Sequence, residues 1–180
     1  MILTTEAEAH AWLAQLPEWD GAARERLELL EQLLRAENQR QNLVAATSLE
    51  SLWLRHIADS AQLLTHVPRE TGSPWLDLGT GAGFPGLVIA ALRPECRVVM
   101  VESRARRAEW LKTARDALHL DQAEVFGGQL EQFGQRREGS CRNDAEFLRW
   151  QSFKLTAKDL CLIQVQGVAR SFEPFRSPRP

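Results

Sequence analysis

Residues 76–86 read Leu-Asp-Leu-Gly-Thr-Gly-Ala-Gly-Phe-Pro-Gly, and this stretch decides the fold. A short apolar run, Trp75, Leu76 and Leu78, predicts a buried strand. The sequence Leu-Val-Ile-Ala-Ala-Leu soon after Pro85 predicts a helix with proline in its first turn. A strand, a glycine-rich loop and a helix in this order are typical of nucleotide binding, because glycines let the backbone approach a ligand and the helix N-terminus offers free N–H groups.

An acidic residue follows at a suitable spacing. Glu102 comes 23 residues after Gly79, at the end of a second apolar run over 98–101. A carboxylate in that place can accept hydrogen bonds from both hydroxyls of a ribose. The loop and the spaced acid together are far more specific than the loop alone.

Two ligand classes fit the loop. Gly81-Ala-Gly83-Phe-Pro-Gly86 matches the dinucleotide pattern G-x-G-x-x-G, whereas 77–83 match the acid-x-G-x-G-x-G loop of S-adenosylmethionine (SAM) methyltransferases. Asp77 would repel a pyrophosphate and attract the positively charged methionine part of SAM. Pro85 removes an N–H that a phosphate would need. Both features favour SAM, and a glycine-rich turn that binds nothing is the third interpretation.

Composition indicates a cytoplasmic protein of one domain with a modest extension. The chain has 180 residues, of which 44% are hydrophobic and 26% charged, and its net charge is −2. We expect no membrane span and no signal peptide, because no apolar run is long enough and the start is not basic. The three cysteines, Cys96, Cys141 and Cys161, fit neither a disulfide framework nor a zinc site, so no metal is expected.

Three regions follow along the chain. Residues 1–70 predict helices, with capping boxes at Thr5/Glu8 and Thr47/Glu50 and an N-cap at Asp20. Residues 71–133 alternate: strand 75–78, helix 85–93, strand 97–102, helix 104–119 and strand 122–126. This order predicts an α/β, Rossmann-like fold with a parallel sheet. Residues 134–180 are polar, basic and proline-ended, and we expect a poorly ordered tail that leaves the sheet incomplete.

The chain resembles the RsmG family, also called glucose-inhibited division protein B, over about residues 20–133. These are guanine-N7 methyltransferases of small-subunit rRNA. Three clusters carry the resemblance, namely Asn38 and Asn42-Leu43 before Arg55-His56-Ile57-Ala58-Asp59-Ser60; the loop 77–86; and Val101-Glu102-Ser103 with Arg106-Arg107 and Trp110-Leu111, leading to Leu118-His119-Leu120.

The resemblance implies a class I SAM-dependent fold and methyl transfer to one guanine in the 530 loop of 16S rRNA. It implies 16S rRNA or the small ribosomal subunit as the partner. We expect a monomer. We also expect no metal and no covalent nucleophile, because guanine N7 has a free lone pair and SAM is a strong methyl donor. The cofactor-binding residues that the motif and the resemblance together predict are Asp77, Gly79, Gly81, Gly83, Phe84, Glu102, Leu130 and Glu131.

The sequence departs from the family in its last quarter. Family members usually carry an arginine where this chain has Gln129. The family's later strand with Asp, its Ser/Ala-Arg-Ala element and its Lys-Gly element have no match after Phe133. The arginine of that element belongs to the family's active site, so the catalytic residues here are unknown. A frameshifted or truncated reading frame would produce such a break, and activity would then be lost.

Several charged residues have both an RNA-binding and a purely structural interpretation. Arg104, Arg106 and Arg107 form either a basic RNA-facing patch or a solvated helix face. Arg55 is either an RNA contact or the i, i+4 partner of Asp59. His56, on the apolar side of its helix, is either an RNA contact or a core histidine bonded to the backbone.

Two other classes of function stay open. One is an NAD-dependent oxidoreductase that uses the same loop. The other is a noncatalytic remnant that binds SAM or RNA without turnover.

Overall fold

The computed structural model describes residues 3–67, 74–130 and 132–133. Three helices come first: α1 (Glu6–Leu13), α2 (Gly21–Asn38) and α3 (Ala46–Leu49). A fourth helical segment, α4, consists of a π-helical stretch Trp53–Ala58, an α-helical turn Asp59–Ala61 and a 3-10 stretch Gln62–His66. The α/β part follows as β1 (Trp75–Leu78), α5 (Gly86–Leu92), β2 (Val98–Glu102), α6 (Ala105–Ala117) and β3 (Ala123–Gly127).

Two of the three predicted helix starts are confirmed. Thr5 and Glu8 form a capping box at α1, and the Asp20 side chain accepts from the Ala23 N–H at the start of α2. The prediction of a capping box at Thr47/Glu50 is wrong. Helix α3 begins at Ala46, two residues earlier than a cap at Thr47 predicts, and its N-cap residue, Ala45, has no capping side chain. It ends at Leu49, so Glu50 lies beyond this short helix and the chain turns before α4 begins.

The alternating part confirms the predicted α/β fold. The strands pair in parallel in the order β1-β2-β3, with Trp75 opposite Val98 and Val98 opposite Ala123. All five predicted elements are present, and their ends differ from the prediction by at most two residues. The Rossmann-like arrangement brings the carboxyl ends of β1 and β2 to the same edge, which is where ligands bind in such sheets.

The sheet has two different faces because side chains alternate along each strand. One face packs against α5 and α6, and α2 contacts both of these helices from outside. The opposite face carries a smaller apolar cluster within the described residues: Leu76, Leu78, Val99, Val101, Phe126, Leu130 and Phe133.

A buried ion pair ties the N-terminal helices to the α/β part. Arg93, at the end of α5, lies 2.8 Å from the Glu18 carboxylate in the α1–α2 connection, and both side chains are less than 5% exposed. Arg93 also donates to the carbonyl oxygens of Leu64 and Val67 at the end of α4. One guanidinium therefore holds three segments together.

No helix among the described residues combines the length and the apolar character needed to cross a membrane. The same part of the chain contains no group of three or more His, Cys, Asp or Glu side chains that could hold a metal ion. The predicted tail, 134–180, lies outside the described residues.

Candidate donor-binding site

The glycine loop lies at the carboxyl end of β1 and is held from both sides. The N–H groups of Gly79 and Thr80 donate to the Val101 carbonyl at 2.8 and 3.2 Å, so the loop starts as an extension of the sheet. The Trp110 indole N–H donates to the Ala82 carbonyl at 2.9 Å from α6. These bonds fix the path of the backbone before any ligand arrives.

The glycines of the loop serve two different purposes. Gly79 and Gly81 have φ of +74° and +60°, and a Cβ at either would have no neighbour closer than 3.5 Å. Gly83 has φ of +104°, and a Cβ there would collide with the Leu87 side chain. Gly79 therefore leaves open space over the backbone, a Cβ at Gly81 would be in ordinary contact with Arg107 Nη1 at 3.5 Å, and Gly83 is needed for close packing of α5.

Asp77 lies beneath the loop and supports it. Its Oδ2 accepts from the Thr80 hydroxyl at 2.5 Å and from the Gly86 N–H at 2.9 Å. Burial raises the pKa of this carboxyl to about 6, although the two hydrogen bonds act in the opposite direction. The sequence predicts that Asp77 attracts the ligand. In the structure Asp77 stabilises the loop through its two hydrogen bonds. Direct contact between Asp77 and a ligand stays a prediction.

Glu102 brings its carboxylate from the end of β2 to the loop. Its Oε2 accepts from the Gly81 N–H at 3.0 Å, and its Oε1 accepts from the Arg104 N–H at 2.8 Å. The residue is buried, with 5% of its surface exposed. A carboxylate offers about four acceptor positions, so two backbone bonds leave room for ribose hydroxyls.

The start of α5 offers few free donors. Pro85 has no N–H, the Gly86 N–H is bonded to Asp77, and the Leu87 N–H donates to the Gly83 carbonyl at 2.8 Å. A phosphate at a helix N-terminus depends on such groups being unoccupied. A buried carboxylate at the same point would also oppose an anion. The local chemistry thus disfavours a pyrophosphate.

The later pair of predicted cofactor residues is only partly described. Leu130 packs against the smaller apolar cluster on the second face of the sheet, whose buried members are Val99, Val101 and Phe133. Glu131 lies outside the described residues. Contact of Leu130 or Glu131 with a cofactor stays a prediction.

The arginine cluster of α6 meets the turn that follows α2. Arg106 Nη2 and Arg107 Nη2 donate to the Arg40 and Asn42 carbonyls, each at 3.4 Å. Among the described residues, neither these two arginines nor Arg104 forms a salt bridge.

Arg55 and Asp59 are both exposed and, within the described part of the chain, form no ion pair with each other. The pairing expected from their spacing is therefore absent. RNA contact by Arg55 stays a prediction.

A stacked pair of rings was not foreseen from the sequence. The His56 imidazole and the Phe84 phenyl lie with centroids 4.8 Å apart and planes at 20°. His56 Nε2 is buried and has no hydrogen-bond partner among the described residues, so it is not bonded to the backbone as one interpretation supposed. The two residues are 28 positions apart in the sequence, so no local pattern reveals this contact.

Fold and site together define an α/β protein of the nucleotide-binding type with a loop suited to a nucleoside. A sequence model of the family described as rRNA small subunit methyltransferase G matches residues 23–142. The chain belongs to this family.

The match extends beyond the region that the motifs cover. It passes Phe133 and ends in the polar stretch that follows.

Curated relatives carry the name ribosomal RNA small subunit methyltransferase G. The chain is 54% identical over 138 residues to that of Erythrobacter litoralis, covering 77% of this chain and 65% of the relative. It is 55% identical over 133 residues to that of Novosphingobium aromaticivorans, covering 73% and 57%. It is 44% identical over 144 residues to that of Zymomonas mobilis, covering 74% and 60%. The chain thus matches less than two thirds of the length of these relatives.

Proposed function

We propose that this chain binds SAM over the loop 79–84 and transfers its methyl group to N7 of a guanine in the 530 loop of 16S rRNA. The observation that carries the proposal is Glu102, whose carboxylate accepts from the Gly81 N–H close to Gly79, over which the space is open. Membership of the methyltransferase family supports a methyl donor. The occupied amides at the start of α5 support SAM against a dinucleotide.

The chemistry asks little of acid–base groups. Bound SAM supplies a methyl group activated by its sulfonium, and guanine N7 has a free lone pair at neutral pH. No proton has to leave before attack, so alignment and exclusion of water are the main contributions of a protein. Gly79, Gly81 and Glu102 would orient the donor, and the acceptor would approach from the arginine-bearing side.

The RNA would contact the basic surface formed by Arg104, Arg106 and Arg107, with Arg55 and His56 as further candidates. Guanidinium groups bind phosphate oxygens in a bidentate manner. The contact between α6 and the turn at Arg40 supports a surface to which both parts of the chain contribute. We place this activity in the cytoplasm, with the protein as a monomer on the small subunit or its rRNA.

A first experiment tests the donor site. Calorimetric titration of the purified chain with S-adenosylhomocysteine (SAH) should give saturable binding, and titration with NAD should give none. Binding of NAD alone would support the oxidoreductase alternative and reject our proposal.

A second experiment tests turnover. Small subunits and 16S rRNA that lack the modification are incubated with tritium-labelled SAM, and the labelled base is identified after digestion. Label at a guanine N7 is the expected result. SAH binding without label would support the noncatalytic alternative, which the missing family elements after Phe133 favour. Label in DNA and not in RNA would reject the substrate.

A further inference from the structure

Two rings meet where the N-terminal helices contact the glycine loop. His56 lies in the π-helical stretch of α4, and Phe84 directly follows Gly83 in the loop. Their centroids are 4.8 Å apart, and the two planes are only 20° from parallel. Short π-helical stretches are rare and occur frequently at functional sites. The geometry therefore connects an unusual backbone segment to the part of the chain that would hold the donor.

Packing, and not hydrogen bonding, sets the position of the imidazole. Its Nε2 is buried and finds no partner among the described residues. A buried nitrogen without a partner costs free energy that an apolar ring of the same shape would not. Burial lowers the pKa of His56, the nearby Arg55 lowers it further, and Asp59 acts in the opposite direction. The uncharged ring that results is suited to stacking.

Phe84 lies between two parts of the loop whose backbone is held in place. On one side lies Gly83, which has a positive φ and whose carbonyl accepts from the Leu87 N–H at 2.8 Å. On the other side α5 begins at Gly86, where Asp77 holds the backbone. A phenyl ring fixed between these points sets the direction in which residues 79–84 present their backbone.

We propose that His56 is a positioning residue for the methyl-donor pocket, which acts by stacking on Phe84 and thereby holding the loop 79–84. The pocket itself rests on the function proposed above. The stack is a contact between two residues of the chain itself, so it can be tested with and without a donor.

The experiment compares three variants of the full chain. His56→Ala removes the ring, His56→Phe keeps a flat ring without nitrogens, and His10→Ala is the matched control. His10 also contacts an aromatic ring, that of Trp53, with centroids 4.3 Å apart and planes tilted by 35°, and it lies on α1. The readouts are the Kd for SAH and the hydrogen exchange of peptides covering 79–87. Thermal unfolding of each variant accounts for general loss of stability.

We expect His56→Ala to raise the Kd about 2- to 13-fold, the range typical of one aromatic pair, and to speed exchange in the loop by a similar factor. His56→Phe and His10→Ala should keep both values within about twofold of the parent. If the alanine variant does not fold, His56→Leu replaces it, because leucine fills volume without offering a flat ring.

Two results would overturn the proposal: unchanged exchange and Kd in the variant without the ring, or equal effects from His10→Ala. A parent chain that binds no SAH, together with faster loop exchange in His56→Ala, would contradict the proposed function and still support the positioning of the loop.

Discussion

At the scale of single residues, Glu102 is the side chain on which donor binding most depends. Replacing it with alanine removes hydrogen bonds to the ribose and should cost about 1.5–3 kcal/mol of binding free energy, or roughly 10- to 150-fold in the Kd for SAH. Glu102→Gln should lose less, because its amide oxygen still accepts. Calorimetry measures both, and Glu124→Ala, which removes an exposed carboxylate on β3, is the control. Parent-like binding by Glu102→Ala would show that the assigned role is wrong.

Asp77 makes stability depend on pH in a predictable direction. Its pKa is raised from 3.8 to about 6, so its contribution to stability is fully present below pH 3.8 and is lost as the pH rises through about 6. A pKa difference of this size between the folded and unfolded chain corresponds to about 3 kcal/mol. The free energy of unfolding of Asp77→Asn should therefore rise relative to that of the parent by about 2 kcal/mol between about pH 4.5 and 7.5.

Urea unfolding at several pH values measures this difference. Asp77→Asn keeps the size of the side chain and an oxygen that can accept from Thr80 and Gly86, so most of the remaining contacts cancel in the comparison. If the difference in free energy of unfolding between Asp77→Asn and the parent stays constant across this pH range, the pKa of Asp77 is not raised.

At the scale of elements, the two kinds of glycine in the loop predict opposite outcomes. Gly83→Ala should destabilise the chain by about 2–4 kcal/mol, because its Cβ collides with Leu87 and its φ is strained. Gly81→Val should cost only about 1–2 kcal/mol in stability, because the space over Gly81 admits a Cβ, with Arg107 Nη1 nearest at 3.5 Å, and the cost comes mainly from the positive φ. It should nevertheless raise the Kd for SAH more than about tenfold by occupying that space.

Thermal unfolding and SAH titration of the two variants separate packing from access. A Gly81→Val protein that binds SAH normally would show that the donor does not approach this part of the backbone.

The helices and strands could be predicted from the sequence where the apolar pattern and the capping residues indicated the same element. Apolar runs predicted β1 and β2, and side-chain caps at Thr5 and Asp20 predicted two helix starts. The prediction failed at Thr47, where the cap pattern was present but the helix ended after one turn. Contacts across the fold, such as the one between His56 and Phe84, follow from packing that no spacing in the sequence encodes.

At the scale of the whole molecule, the buried pair of Arg93 and Glu18 should be a large contributor to stability. Arg93→Met removes the cation beside a buried carboxylate and two donors to backbone carbonyls, and should cost about 3–5 kcal/mol. The control is Arg97→Met, which breaks an exposed pair with Glu124 and should cost at most about 1 kcal/mol. Equal losses in chemical denaturation would show that burial of the pair contributes nothing.

The bonds from α6 to the turn after α2 have a consequence for ionic strength. Arg106 and Arg107 donate to carbonyl oxygens, which carry no net charge, so their own charge is not neutralised by these contacts. If these guanidinium groups bind RNA phosphates, counterions are released from the RNA. A plot of the logarithm of affinity against the logarithm of salt concentration then falls with a slope of about 0.7–0.9 per phosphate contacted. Three arginines should give a slope of about −2 to −3 with a 16S rRNA fragment, and Arg106→Ala should reduce it by about one. Arg24→Ala, which removes an arginine already paired with Glu28, should leave the slope unchanged.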